Sequence, residues 1–229
     1  MLTVACVFVH GPYPYTAEYV IRLQRMVARY VKLPHRFVCL TDRANELPAD
    51  ISVIPIASMS SVVPRNGAGY WNKVRLFDPT LGLTGRVLYI DLDSIIVAYL
   101  DPIIDMPASL ALTTDALVVE RAHLDTDRFG RKIVRRFNSS VMVFDSGACD
   151  DLWQRWTPLV AQRLSTDQDW IGEQAPDAKG MPIEWFPRIS QVRPPWPAEA
   201  IVVLVKKPKN IQAVERWPEL DAWWGGWAV

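Results

Sequence analysis

The sequence predicts an α/β protein, one domain with a mostly parallel twisted sheet flanked by helices. Three observations predict it. The first forty residues read strand, helix, strand, an order that gives a right-handed crossover and a parallel strand pair. Residues 87–90 are an apolar run with the length and composition of a strand buried on both faces. Two carboxylates, Asp91 and Asp93, follow where that strand should run out, and open α/β sheets place their ligand crevice at such carboxyl ends. Half of the 229 residues are apolar, which supplies a substantial core and excludes disorder over the whole chain.

Residues 3–9 form the first predicted strand, ended by His10-Gly11-Pro12. Tyr13 and Tyr15 sit in the loop that follows, and a helix is expected over residues 17–31. Its apolar positions Tyr19, Val20, Leu23, Met26, Val27 and Tyr30 follow the i, i+3, i+4, i+7 rule. Thr16 is placed as its N-cap, with Glu18 favourable in the first turn. Pro34 closes the connection to a second strand, residues 37–40, and residues 51–56 read as a third. Residues 57–69 are a polar loop. A short helix over 70–77 puts Trp71, Val74 and Phe77 on one face and stops at Pro79.

After the Asp-Leu-Asp strand, residues 110–113 and 141–144 are further strands. Asp150 or Asp151 caps a helix that Pro158 must kink or divide. Residues 167–174 predict a short polar helix or turn. The composition then shifts: eight prolines lie from Pro176 onward, and nine of the ten tryptophans follow residue 150. Short strands at 183–186 and 200–205 are expected there, and no long helix. The tryptophans read as pins holding irregular segments onto the sheet; stacking on sugars or seating at a membrane interface are the alternatives. The domain is taken as 1–209, with a tail, 210–229, that packs on it or extends from it. No internal repeat is visible.

Twenty-five basic and twenty-five acidic residues cancel, which offers no global electrostatic grip on nucleic acid. Cys6, Cys39 and Cys149 are too few and too scattered for a disulfide framework or a zinc site, and this favours a reducing compartment. No apolar run approaches the roughly 18–20 residues that span a bilayer. Residues 1–9 lack the basic n-region and cleavage site of a signal peptide. The expectation is a cytoplasmic protein. Arg128, Arg131, Lys132, Arg135 and Arg136 form a local basic cluster that reads as a solvated helix face, with a phosphate-bearing acceptor or an acidic membrane surface as the alternative. Residues 217–227, beside Lys206, Lys207 and Lys209, add the expectation of peripheral membrane contact.

Asp91 and Asp93 carry the chemistry. In a regular strand, residues i and i+2 share a face, so both carboxylates can converge on one point. Two such groups repel unless something positive lies between them. A hard cation, Mn²⁺ or Mg²⁺, held also by the oxygens of a diphosphate, is the usual solution. The plain alternative is a surface turn whose aspartates only cap backbone N–H groups. Apolar runs on both sides of the pair speak against it.

Three families share pieces of this pattern. The apolar strand with Asp91-Leu92-Asp93 resembles the nucleophile strand of haloacid-dehalogenase-type phosphatases. That family puts the motif at its first strand, followed by Gly-Thr or Gly-Val; here Ser94-Ile95 follows. Asp145-Ser146-Gly147 resembles the loop of aspartic proteases, which are all-β and pair two such loops. Trp71-Asn72-Lys73, residues 86–96, residues 138–145 from Asn138-Ser139-Ser140, and Asp167-Gln168-Asp169-Trp170 occur in that order. Together they resemble GT-A-fold glycosyltransferases, in particular the retaining group of glycogenin and the bacterial lipopolysaccharide galactosyltransferases. The resemblance spans residues 3 to 209 and implies a single Rossmann-like domain.

By that resemblance Asp93 binds the Mn²⁺ or Mg²⁺ that bridges the donor diphosphate, and Asp91 binds the metal too or contacts the donor's ribose or sugar. Lys73 contacts the donor near its phosphates or sugar, so metal and lysine together stabilise the leaving nucleoside diphosphate. Asn138 and Ser139 help hold the transferred sugar or the acceptor, and Asp167 and Gln168 lie beside the sugar's reacting carbon. Tyr13 or Tyr15 stacks on the nucleotide base, by position alone. Each has a plainer reading: an exposed helix lysine for Lys73, a strand-entry residue for Asn138, and a helix N-cap for Asp167 with Asp169 in the first turn.

The family ends its core with a strand leading to a His-Gly-x-x-Lys-Pro segment whose histidine completes the metal site. Residues 200–209 have the strand and a Lys-Pro, but Val205 stands where the histidine is expected. Three readings stay open: a metal held by two carboxylates, phosphate oxygens and water; Lys206 or Lys207 on the diphosphate; or loss of catalysis. The implied activity is transfer of a hexose from a nucleotide-sugar, a UDP-sugar, with retention, to a glycan, lipid-glycan or protein acceptor. The alternatives are a catalytically degenerate nucleotide- or glycan-binding protein and a phosphatase.

Overall fold

The computed structural model describes residues 1–59, 62–63, 68–114, 126–133, 136–205 and 210–225. β1 (Leu2–Phe8), α1 (Ala17–Tyr30), β2 (His35–Thr41) and β3 (Ser52–Pro55) open the chain, with β1–β2 and β2–β3 both parallel. α2 (Ala68–Trp71) runs into a 3₁₀ segment, Asn72–Phe77, ahead of β4 (Arg86–Ile90), which pairs parallel to β1. β5 (Ser94–Ile96), α3 (Asp101–Ile104), β6 (Leu110–Thr113) and β7 (Asn138–Asp145) follow, β7 lying antiparallel between β4 and β6. α4 (Asp151–Gln154), α5 (Pro158–Arg163), α6 (Asp167–Gln174), β8 (Lys179–Gly180), β9 (Val202–Leu204) and α7 (Asn210–Arg216) complete the described elements. The main sheet has the order β3-β2-β1-β4-β7-β6-β8 and is parallel except where β7 meets its neighbours; β5 and β9 form a separate antiparallel pair.

The run over residues 87–90 is apolar throughout because both faces of β4 are covered. Leu88 and Ile90 face the layer containing α1, where Leu23, Met26 and Val27 are buried with Ile95, Ile96 and Val203. Val87 and Tyr89 face the opposite layer, with Leu76, Phe77, Leu152 and Ile171. A third cluster, built on Trp71, Val74, Leu164 and Trp170, sits beneath α5 and α6.

Four local expectations change. Residues 72–77 are 3₁₀, whose period of three keeps Trp71, Val74 and Phe77 on one buried face. As expected, Pro158 divides the helix after Asp150 into α4 and α5. Ile183–Trp185 is a 3₁₀ turn where a strand was expected; Pro182 and Pro187 flank it, and proline removes the ladder donors. Thr16 occupies the N-cap position of α1 in extended conformation, but its side chain makes no capping bond. The basic cluster is likewise not on a helix: Thr126 and Lys132 form a bridge closed by Asp127, whose Oδ1 accepts from the Phe129 and Arg131 N–H groups. Arg136 donates to the Pro176 carbonyl at 2.7 Å, and Arg135 lies outside the described residues.

The described part of the tail packs on α1. Trp224 is buried against the Tyr19 ring at 5.0 Å, and Arg22 stacks on Trp224 while donating to Asp221 and to the Trp224 carbonyl. Gly225 has φ +63°, and a Cβ there would lie 2.7 Å from the Arg22 carbonyl oxygen, so only glycine closes this contact. Among the described residues no helix is long and apolar enough to cross a membrane.

Candidate active site

A cleft of about 670 Å³ opens at the carboxyl ends of β1 and β4. Four separate segments meet in it: the loop after β1, the 3₁₀ segment before β4, the Asp91-Leu92-Asp93 turn, and the start of α6. Asp91 leaves β4 with its N–H donating to the Ser140 carbonyl of β7 at 2.7 Å. The chain then turns, the Ser94 N–H donating back to the Asp91 carbonyl. The aspartates are therefore brought to one cleft by a turn, where the sequence pattern expected a continuous strand.

The Asp91 carboxylate is already engaged. Lys73 Nζ lies 2.7 Å from Oδ1 and 3.0 Å from Oδ2, and the Tyr89 hydroxyl donates to Oδ1. Lys73 also donates to the Ser139 carbonyl and Oγ at 3.3 and 3.2 Å. It is buried, with a side chain 10% exposed, and is no surface lysine. Burial works to lower its pKa, but the Asp91, Asp167 and Asp93 carboxylates outweigh burial and hold it above the usual lysine value. Burial, then Asp91, pushes the Tyr89 phenol well up, so it stays a donor. Asp93 is buried, lines the cleft and accepts from the Tyr15 hydroxyl.

α6 is capped by Thr166, whose Oγ1 accepts from the Asp169 N–H while the Asp169 carboxylate accepts from the Thr166 N–H. The capping box makes Asp167 the first helical residue, so its expected plain role as N-cap is taken by its neighbour. Asp167 is fully buried, and neither carboxylate oxygen has a hydrogen-bond partner among the described residues. Burial raises its pKa, partly offset by Lys73 and Ser139, with Asp91 and Asp169 adding to the rise. Asp167 lies behind the cleft and Gln168 lines it.

Asn138 does not line the cleft. It is buried at the β6–β7 register shift, its Oδ1 accepting from the Ser140 N–H at 2.8 Å. It shapes the segment whose Ser139 binds Lys73 and whose Ser140 reaches the cleft. Tyr13, Tyr15 and Tyr70 form an aromatic wall, Tyr13 lying 5.6 Å from Tyr15 and 5.8 Å, edge-on, from Tyr70. A Cβ on Gly69 would meet the Tyr13 ring at 2.7 Å, so glycine sets how deep that ring lies. Burial raises the pKa of Tyr13 and of Tyr15, with Asp93 contributing to both.

Val205 lines the cleft beside Asp93, donating its N–H to the Asp93 carbonyl at 3.2 Å. Lys206 lies outside the described residues. Arg188 and Ser190 also line the cleft; nothing in a proline-rich stretch without periodicity marked them beforehand. Among the described residues no group of three or more His, Cys, Asp or Glu side chains is arranged to hold a metal ion. Two carboxylates, one of them paired with lysine, fit a hard cation that keeps water and takes phosphate oxygens. They do not fit an ion caged by side chains alone.

No protein-family model matches the sequence, and no curated protein matches it. Among solved structures the chain is similar to a galactosyltransferase, LgtC, in complex with donor and acceptor sugar analogues, with TM-score 0.66 and 17% identity over 96% of this chain and 95% of that one. An active-site glutamine-to-glutamate mutant of LgtC superposes with TM-score 0.64 at 13% identity, covering 96% and 95%. Mouse xyloside xylosyltransferase 1 gives 0.56 at 12% over 90% and 98%. The bifunctional glycosyltransferase WbbM gives 0.60 at 14%, over 91% of this chain and 46% of the larger one. Likeness at such identities shows a shared fold.

Proposed function

We propose that this chain, which has the fold of the GT-A glycosyltransferases, transfers a hexose from a UDP-sugar to a glycan, lipid-glycan or protein acceptor with retention of configuration. One observation carries the proposal: Lys73, the Asp91–Asp93 pair and Gln168, from three separate segments, converge on a single cleft at the carboxyl ends of the strands. The solved LgtC complex with donor and acceptor sugar analogues supports reading that cleft as a sugar site. Asp93, with Asp91 beside it, would hold Mn²⁺ or Mg²⁺, which when bound supplies positive charge to a departing diphosphate.

The chain's own residues do the rest. Lys73, kept charged by three carboxylates, presents a fixed positive centre to the leaving group. Asp91 orients that ammonium. Gln168, a neutral amide with two donors and an acceptor, orients sugar hydroxyls; the altered active-site glutamine of LgtC supports placing it at the reacting centre. The tyrosine wall takes the base. Asp167, behind Gln168, adds negative potential where positive charge develops on the sugar carbon. We place the activity in the cytoplasm, in keeping with three unpaired cysteines, with peripheral membrane contact where the acceptor is lipid-linked.

Incubation with a panel of UDP-hexoses, reading UDP release with Mn²⁺, Mg²⁺ or chelator, tests the proposal. Asp93→Ala is the control, and the anomeric configuration of the product, read by NMR, tests retention. Val205 at the expected histidine position favours a second reading, a protein that binds nucleotide or glycan without turnover. UDP binding with no UDP release from any donor would select it.

A further inference from the structure

We infer that Arg188 is a diphosphate-binding cation of this cleft, facing the Asp93 side from a segment that no motif marks. The inference rests on the nucleotide-sugar reading. β5, β9 and residues 187–189 form three adjacent rows. Ser94 pairs with Leu204, and Leu204 bridges to Arg188. The Leu204 N–H donates to the Pro187 carbonyl and the Ile189 N–H to the Leu204 carbonyl, while the Val205 N–H turns the other way, to Asp93. Two strand spacings, about 10 Å, therefore separate the Arg188 and Ser94 backbones. β9 lies between the two rows, and Arg188 and Asp93 both line the cleft.

Charge points the same way. The charged groups lining the cleft, among the described residues, are Lys73, Arg188, Asp91 and Asp93, and they sum to zero. Lys73 directs its ammonium at Asp91 and Ser139, so Asp91 offsets its charge in part. A diphosphate entering this cleft meets the Asp93 carboxylate and needs a second cation to offset it. Arginine suits the task, because its planar fork matches two phosphate oxygens at once. The neighbouring Val205 contributes no ligand, which leaves Arg188 as the cationic side chain on that wall among the described residues.

Calorimetric titration of the full chain with UDP and with uridine, in Mg²⁺ and in chelator, tests this on the native protein, Arg188→Gln and Arg188→Lys. Arg188→Gln should weaken UDP roughly 10- to 100-fold in both conditions, the scale of a lost charge-assisted bond. Uridine affinity should hold, and Arg188→Lys should recover part of the loss as a point charge. Unchanged UDP affinity in Arg188→Gln, or equal losses for UDP and uridine, overturns the inference and leaves the transferase reading standing. A native chain that binds neither UDP, GDP, ADP nor CDP overturns that reading, and this inference with it.

Discussion

Replacing Lys73 by methionine probes the centre of the site. Methionine keeps most of the volume, so the cost is electrostatic and not a cavity. The lysine is about nine-tenths buried, bonds Asp91 at 2.7 and 3.0 Å, and faces Asp167 and Asp93. Deleting one partner of a buried pair costs about 3–5 kcal/mol, because the other charge is left uncompensated. Asp91 is 18% exposed, so water screens part of that charge and the lower end, about 3 kcal/mol, is expected. For a chain of this size that lowers the thermal midpoint by about 6–12 °C.

Lys73→Met with Asp91→Asn should recover more than half of the loss, since removing both charges is near neutral. The pH dependence has a defined sign. Without Lys73 the Asp167 carboxyl loses a group that lowers its pKa, and its folded value rises further above the usual 3.8. A raised folded pKa contributes stability that is present below the unfolded pKa and is lost as pH rises through the folded one. The deficit of Lys73→Met should therefore be smaller at about pH 5 than at about pH 7 in urea melts. A loss below about 1 kcal/mol, a double variant no better than the single, or a deficit flat with pH would refute this account of the lysine.

Asp167→Asn keeps the shape of the side chain and removes a buried charge. It should raise stability at neutral pH by about 1 kcal/mol, with the gain fading in acid, while UDP release from a donor falls at least about tenfold. Asp93→Ala should abolish both UDP release and the metal-dependent rise in thermal midpoint that UDP gives, which reflects about 2.7 kcal/mol of stabilisation at 100 times Kd. Its far-UV circular dichroism should be unchanged. Gly69→Ala pushes on the end of the Tyr13 ring, which can swing, so stability should move by under about 1 kcal/mol while UDP binds several-fold more weakly. Unaltered UDP affinity would remove Tyr13 from the base site.

The sheet was legible because burial writes itself as composition. Strand β4 reads as an unbroken apolar run since both faces are covered, and α1 reads as a 3.6-residue stripe since one face is. Elements held by turn chemistry and proline were not legible. The 3₁₀ turn at Ile183–Trp185 and the bridge at Thr126–Lys132 answer to Pro182, Pro187 and Asp127, local rules that override propensity. Asp91, Asp93, Lys73 and Gln168 stood out because they lie in short motifs on or directly after regular elements. Arg188 did not, because its place depends on a bridge to Leu204 that no periodicity encodes. Asn138 matched a motif for the opposite reason: it does not line the cleft, and it shapes the backbone of the segment that holds Lys73 and carries Ser140.

Folding alone would not choose the residues of this cleft. An aspartate at the start of a helix is ordinarily explained by capping, yet Thr166 and Asp169 satisfy that end between them, and Asp167 is fully buried beside them without taking part in the cap. A lysine is ordinarily placed where water reaches it, yet Lys73 is buried against three carboxylates. Two apolar residues of similar volume in place of Lys73 and Asp91 would cost little or would stabilise the core. Local features that conflict with stability in this way gather where a protein binds or reacts. Here they gather at the carboxyl end of β4, at a cleft that three tyrosines and an arginine also line. A negatively charged ligand with a planar head and a sugar to be handed on would account for each of those departures at once.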